Sequence, residues 1–165
     1  MCKNNVKWLY RLDRNYVWES GFDIPEDSVF FDSSGVVRLI LERGGRVTVT
    51  HGYTWNGCSP KVCVFDLLIG TPDGVVDART GRQKTYYASL VHDALYQFIK
   101  ADSPLNRKQA DVAFLRLMVE TEFFFRRIYW LAVRAIGWLV WKVKSRKRHW
   151  HGQGVTVDSL TTIVE

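Results

Sequence analysis

His92 and Tyr96 stand four residues apart, so a helix puts both on one face, and Asp93 lies beside them. Asp111 falls in a second helical segment, on the face that also carries Phe114, Leu115 and Met118. That face is expected to be buried, and a carboxylate there is costly unless it is paired. The short connection over residues 101–106 makes the two helices antiparallel neighbours, so Asp111 can meet the His92 face. A histidine held by a carboxylate has a fixed tautomer and a stabilised imidazolium. Those are the requirements of a general base that activates water. The same Asp–His–Tyr set also suits a lock that holds two helices in register. The residue types fit both readings, since perturbed titrating groups gather at functional sites only as a tendency.

The elements that must position these groups can be read from periodicity. A first helix is expected from Thr85, its N-cap, to about Lys100, with Ala88, Val91, Leu95, Phe98 and Ile99 as its apolar stripe. A second begins at Ser103-Pro104, where proline suits a first turn, and turns Ala110, Phe114, Leu117 and Met118 inward. A third runs from about Phe123 to Lys147. The first half reads as β. Val36 to Leu41 and Arg46 to His51 flank Glu42-Arg-Gly-Gly45, which is a hairpin signal. Trp8 to Trp18 reads as an edge strand, and Pro25 argues against a central one. Residues Tyr53 to Pro60 and Gly70 to Arg82 read as loops, with a tight turn at Asn56-Gly57. Strands followed by helices without βαβ alternation predict an α+β fold, with N-terminal antiparallel strands and three C-terminal helices. One domain covers 1–151, β-rich over 1–60, loop over 61–84 and helical over 85–148; residues 152–165 read as a loose polar tail.

Composition bounds the class. Hydrophobic residues make up 47% and charged residues 24% of 165, as in an ordinary globular chain with one core. The net charge of +6 is local. Arg126, Arg127, Arg134, Lys142, Lys144, Arg146, Lys147 and Arg148 have no acid among them, leaving 15 of the 23 basic residues to face all 17 acidic ones. Three cysteines, an odd number, favour reduced thiols and synthesis in the cytosol. The first residues lack the apolar core of a signal peptide. The apolar run Ile128 to Val143 is broken by Arg134 and Lys142 and is shorter than the roughly 20 residues of a membrane span.

Five motifs in order carry a family resemblance. They are Trp55-Asn-Gly-Cys-Ser-Pro60, Gly70-Thr-Pro72, Ala88-Ser-Leu-Val-His-Asp-Ala-Leu-Tyr96, Arg107-Lys-Gln-Ala-Asp-Val-Ala-Phe114 and Tyr129-Trp-Leu-Ala-Val-Arg-Ala-Ile-Gly-Trp138. Together they resemble the phage-associated family called domain of unknown function 1353, over about residues 45 to 141. Where that family usually has an Asp before the loop glycine, this chain has Asn56. The resemblance implies a phage or prophage origin and no established activity.

A second, local resemblance concerns chemistry. His92-Asp93-x-x-Tyr96 followed by Ala110-Asp111-x-x-Phe114 is similar to the centre of secreted and parvoviral phospholipases A2. That similarity implies His92 as the base, Asp93 as a calcium ligand, Asp111 as the group that orients His92, and Tyr96 bonded to Asp111. Calcium would hold the lipid phosphate and stabilise the oxyanion as water attacks the ester. Ca²⁺ takes roughly 6–8 oxygen ligands, so Asn56, Gly57 and the backbone from Tyr53 would have to supply others. A zinc reading from Cys58, Cys63, His51 and His92 is weaker, because the histidines are scattered and the cysteines suit small buried positions.

The third helix points to a partner. Ile128, Leu131, Ala135, Leu139 and Lys142 fall along one line, and Trp130, Arg134, Trp138 and Trp141 along another. Arg and Trp on one stripe, followed by Lys142, Lys144, Arg146, Lys147 and Arg148, resemble a helix lying at an anionic membrane surface. A phage or host protein is the other partner such a helix fits. Nucleic acid ranks below both, because no helix-turn-helix, zinc finger or RNA-binding signature accompanies the charge. Two functions are therefore expected. One is an accessory or structural protein of the host cytoplasm or virion, peripheral to the inner membrane. The other is a calcium-dependent lipid esterase with His92 as base.

Overall fold

The computed structural model describes residues 10–57, 62–64, 67–69, 76–99, 103–144 and 154–156, with side chains over 10–57, 76–99 and 103–135. The fold is α+β, with antiparallel strands preceding three helices.

The main sheet has five antiparallel strands: β2 (Tyr16–Glu19), β3 (Ser28–Phe31), β4 (Val37–Glu42), β5 (Arg46–Val49) and, last in the chain, β9 (Gly154–Thr156). Their spatial order is β2-β5-β4-β3-β9. The β4–β5 hairpin turns where its glycines were read. Gly44 and Gly45 take φ of 88° and 100°, conformations that cost glycine little. A side chain on Gly45 would also meet the Phe22 carbonyl at 2.7 Å. The register sets Trp18, Val47 and Leu41 side by side, with Val49, Leu39 and Phe30 in the neighbouring row. These side chains are buried, and they form the sheet's share of the core.

Three short pieces depart from the sequence reading. The segment around Asn56-Gly57 contains β6 (Thr54–Trp55), which pairs with β1 (Tyr10–Arg11). The span read as loop over 61–84 contains a hairpin of β7 (Val62–Val64) and β8 (Leu67–Ile69), and a bridge between Val76 and Gln83. The span read as a loose tail contributes β9, whose backbone occupies the open edge of β3. Strands of two or three residues carry too little periodicity to announce themselves.

The helices are α1 (Tyr86–Phe98), α2 (Arg107–Glu120) and α3 (Arg126–Lys144). Thr85 does sit at the N-cap of α1 but makes no side-chain cap bond. The start of α2 is corrected from Ser103-Pro104 to Arg107. Asn106 accepts a hydrogen bond from the Gln109 backbone N–H, and the Gln109 side chain accepts one from the Asn106 N–H. That reciprocal capping box satisfies two otherwise unpaired donors, which favours Asn106 over the proline as the boundary. Ala94 on α1 and Ala110 and Ala113 on α2 are buried, and such small side chains allow two helices to pack closely. Phe98 of α1 meets Phe30 of β3 at 5.4 Å, joining the helices to the sheet.

Candidate functional site

The polar centre lies between α1 and α2. The His92 and Asp111 side chains are 12% and 2% exposed. His92 Nε2 lies 3.3 Å from Asp111 Oδ1. Tyr96 donates its hydroxyl hydrogen to the same oxygen at 2.6 Å. The His92 ring packs on Tyr96 at 4.2 Å and near Phe114 at 5.2 Å, so apolar faces hold it in place.

Two further bonds carry the network outward. Arg107 Nε donates to the Tyr96 hydroxyl at 2.9 Å, and another Arg107 nitrogen donates to the Arg134 carbonyl of α3 at 2.9 Å. Arg107 therefore ties all three helices to one buried carboxylate. It was not among the residues singled out from the sequence. A signal for it was present, because Arg107 precedes Asp111 by four residues and so shares its helix face.

The electrostatics are those of an ion pair. Burial opposes a charged imidazole at His92, but hydrogen bonds to Asp111 and Asp93 outweigh it and raise the pKa above its ordinary 6.5. Burial likewise opposes ionisation of Asp111, but the bonds from His92 and Tyr96 prevail and hold it below 3.8. Burial and the bond to Asp111 push the Tyr96 phenol well above its ordinary range. The raised pKa favours the imidazolium, which suits a histidine that holds a carboxylate.

The residues of the expected calcium set lie on α1 and in the segment after β6. The Asp93 side chain is 38% exposed, with Oδ1 3.6 Å from His92 Nδ1. Gly57 takes φ of 77°, and a Cβ there would lie 2.6 Å from the Tyr10 ring. Tyr10 in turn stacks on the buried Trp55 at 5.4 Å, so Gly57 makes room for an aromatic cluster. The Tyr53 carbonyl accepts the Leu12 N–H at 2.8 Å, and Thr54 and Trp55 pair with β1. Asn56 Oδ1 is buried without a hydrogen-bond partner among the described residues. Asp93 and Asn56 supply side-chain oxygens, and the rest of the roughly 6–8 that Ca²⁺ takes would have to come from backbone carbonyls and water. Among the described residues no three His, Cys, Asp or Glu side chains gather to hold a metal. The side chains of Cys58 and Cys63 lie outside the described residues.

Helix α3 shows two faces. Tyr129 is buried, and Trp130 and Val133 pack against the core. Ile128 and Leu131 are exposed, and Ala135 is exposed one turn further on. The outward line is thus Ile128–Leu131–Ala135, while Trp130 and Arg134 turn toward the body. The Arg134 guanidinium lies 5.1 Å from the Trp130 ring centre. A large indole has more apolar area to bury than isoleucine has, which accounts for the side chosen. Trp138, Trp141, Lys142 and Lys144 lie on the same helix, with side chains outside the described set; Arg146, Lys147 and Arg148 lie outside the described residues. Among the described residues no helix is long and apolar enough to cross a membrane.

These features define an α+β protein whose helical layer closes over a histidine–carboxylate pair. The chain belongs to the family described as "Protein of unknown function (DUF1353)", which matches residues 41–133, more than half its length. Comparison with the curated proteins and with the solved structures finds no match.

Proposed function

We propose that the protein is a non-catalytic accessory protein of phage or prophage origin that docks on an anionic membrane surface through α3. The observation that carries this reading is the two-faced helix. Its inner side is anchored by Tyr129 and Trp130, while Ile128, Leu131 and Ala135 face solvent. From Arg126 to Arg148 the chain has eight cations and no acid. A helix with an apolar side and basic flanks lies in the plane of a bilayer and prefers anionic lipid. The His92–Asp111–Tyr96–Arg107 network then serves to fix α1, α2 and α3 relative to one another. Binding should appear as co-sedimentation with anionic vesicles that weakens as salt rises. Equal binding to neutral vesicles at all salt concentrations would overturn the electrostatic part.

A second reading, a lipid esterase with His92 as general base, has one observation in its favour. Asp111 Oδ1 lies 3.3 Å from Nε2, an arrangement that orients the ring and stabilises its charged form, while Nδ1 faces Asp93 Oδ1 at 3.6 Å. Turnover of a fluorogenic phospholipid that disappears in His92→Ala would establish this reading, and absence of turnover with and without added calcium would end it.

A further inference from the structure

The turn between α2 and α3 hides one phenylalanine and displays the next two. Phe123 is buried, with its ring 4.9 Å from Tyr129 and 6.2 Å from Phe125. Phe124 is 84% exposed and Phe125 45%, and their rings meet edge to face at 5.1 Å. Glu122, just before them, takes a left-handed φ of 52°. Ile128 and Leu131 extend the line from Phe124 at helical spacing, 63% and 59% exposed, and Val119 at the end of α2 is 52% exposed. Single exposed apolar residues need no explanation, but a run of them on one corner does.

The corner is also rigidly built. The Phe123 N–H donates to the Met118 carbonyl at 2.9 Å. The Thr121 hydroxyl donates to the Lys84 carbonyl at 2.9 Å. Arg126 donates to the Phe123 carbonyl at 3.1 Å. Trp18 Nε1 donates to the Glu120 carboxylate at 2.9 Å, which draws that acid toward the sheet and away from the tip.

Resting on the reading of α3 as a membrane-surface helix, the geometry points to the Phe124–Phe125 turn as a wedge that enters the acyl region of an anionic bilayer. Charge complementarity selects lipid as the occupant. Arg127 is exposed beside the tip and belongs to the run of eight cations without acids from Arg126 to Arg148, against the exposed acid Glu122 on the α2 side of the turn; that run matches a layer of anionic headgroups. Phenylalanine carries no polar atom, so it gains nothing by stopping at headgroup level, where Trp and Tyr settle. Because the turn is already ordered by its own hydrogen bonds, little entropy is lost on insertion. Attachment therefore has two separable parts, a cationic one that salt screens and an apolar one that salt leaves intact.

The test is co-sedimentation of the full chain with phosphatidylcholine vesicles doped with phosphatidylglycerol, at low and at high salt. A fraction of the protein should stay bound at high salt. The double variant Phe124→Ser, Phe125→Ser should lose that fraction, with partitioning weakened about tenfold or more per phenylalanine, while its circular dichroism and melting temperature stay unchanged. If the double variant loses its fold, Phe124→Ser alone carries the same expectation. Complete release of the unmodified chain by salt, or unchanged retention of the variant, overturns the wedge and leaves the electrostatic docking of α3 standing. Failure to bind at low salt overturns both. A lipid-free dimer that the substitutions dissociate would assign the phenylalanines to a second copy of the chain and also overturn the wedge.

Discussion

The α1–α2 centre and the α2–α3 corner invert what their residue types suggest. His92, Asp111, Tyr96 and Arg107 carry the groups associated with reactivity, yet they spend those groups on one another and on the α3 backbone. Phe124, Phe125, Ile128 and Leu131 carry no reactive group, yet they face outward. Among the described residues, the buried side-chain atoms without a partner are Asn56 Oδ1 and Trp130 Nε1, and neither belongs to the network. A satisfied polar cluster rigidifies a fold, whereas an unsatisfied apolar surface asks for a partner. In this chain the polar region is inward-looking and the apolar one is the candidate point of contact.

The contrast predicts opposite responses to substitution. The largest effect should come from His92→Ala, which leaves the Asp111 carboxylate buried without its cationic neighbour. Breaking a buried pair from one side costs about 3–5 kcal/mol, so denaturant unfolding should show a large loss of stability, while protein that remains folded binds vesicles as before. Loss of vesicle binding by folded His92→Ala would break the separation of the two regions.

The next effect should appear in the pH dependence of stability. The folded pKa of His92 lies above its ordinary 6.5, so its contribution is complete below that value and is lost as pH rises through the raised pKa. The folded pKa of Asp111 lies below 3.8, so its contribution is present above that value and is lost as pH falls through the lowered pKa. Stability from this pair should be greatest between the two. Replacing His92 by Gln should remove the decline on the alkaline side. An unchanged profile in that variant would show that the pair is not the titrating lock.

The smallest effect on stability, and the sharpest on binding, should come from Ile128→Ser with Leu131→Ser. Exposed positions of this kind move stability by less than about 0.5 kcal/mol each, yet vesicle co-sedimentation should fall. A marked drop in melting temperature would place these side chains in the core and remove the contrast.

How much of this was legible in the sequence differs by element. The β4–β5 hairpin was readable because its strands alternate and Gly44-Gly45 lie between them. The meeting of α1 and α2 was readable because a carboxylate at 111 falls on an otherwise apolar face. The beginning of α2 was misplaced because Ser103-Pro104 is a familiar helix start, whereas the winning signal was a reciprocal pair, Asn106 and Gln109, that either residue alone does not reveal. Strands β6 and β9 were missed because their partners, β1 and β3, are distant in the chain, and such pairing leaves no local periodicity. The outward side of α3 was misjudged because both of its stripes are apolar; only the body it packs against decides between them.

The strand Gly154–Thr156 has one further consequence. By pairing Ser28 with Thr156, Val29 with Val155 and Phe30 with Gly154, it returns the chain to the N-terminal sheet after α3 has ended. The ten steps from Lys144 to Gly154 can span at most about 35 Å, so α3 is tethered downstream as well as at its start. A truncation before Gly154 would release that tether and bare the hydrogen-bonding edge of β3 over Ser28-Val29-Phe30. Exposed apolar edges of that kind recruit other strands, so shortened versions of this protein should aggregate.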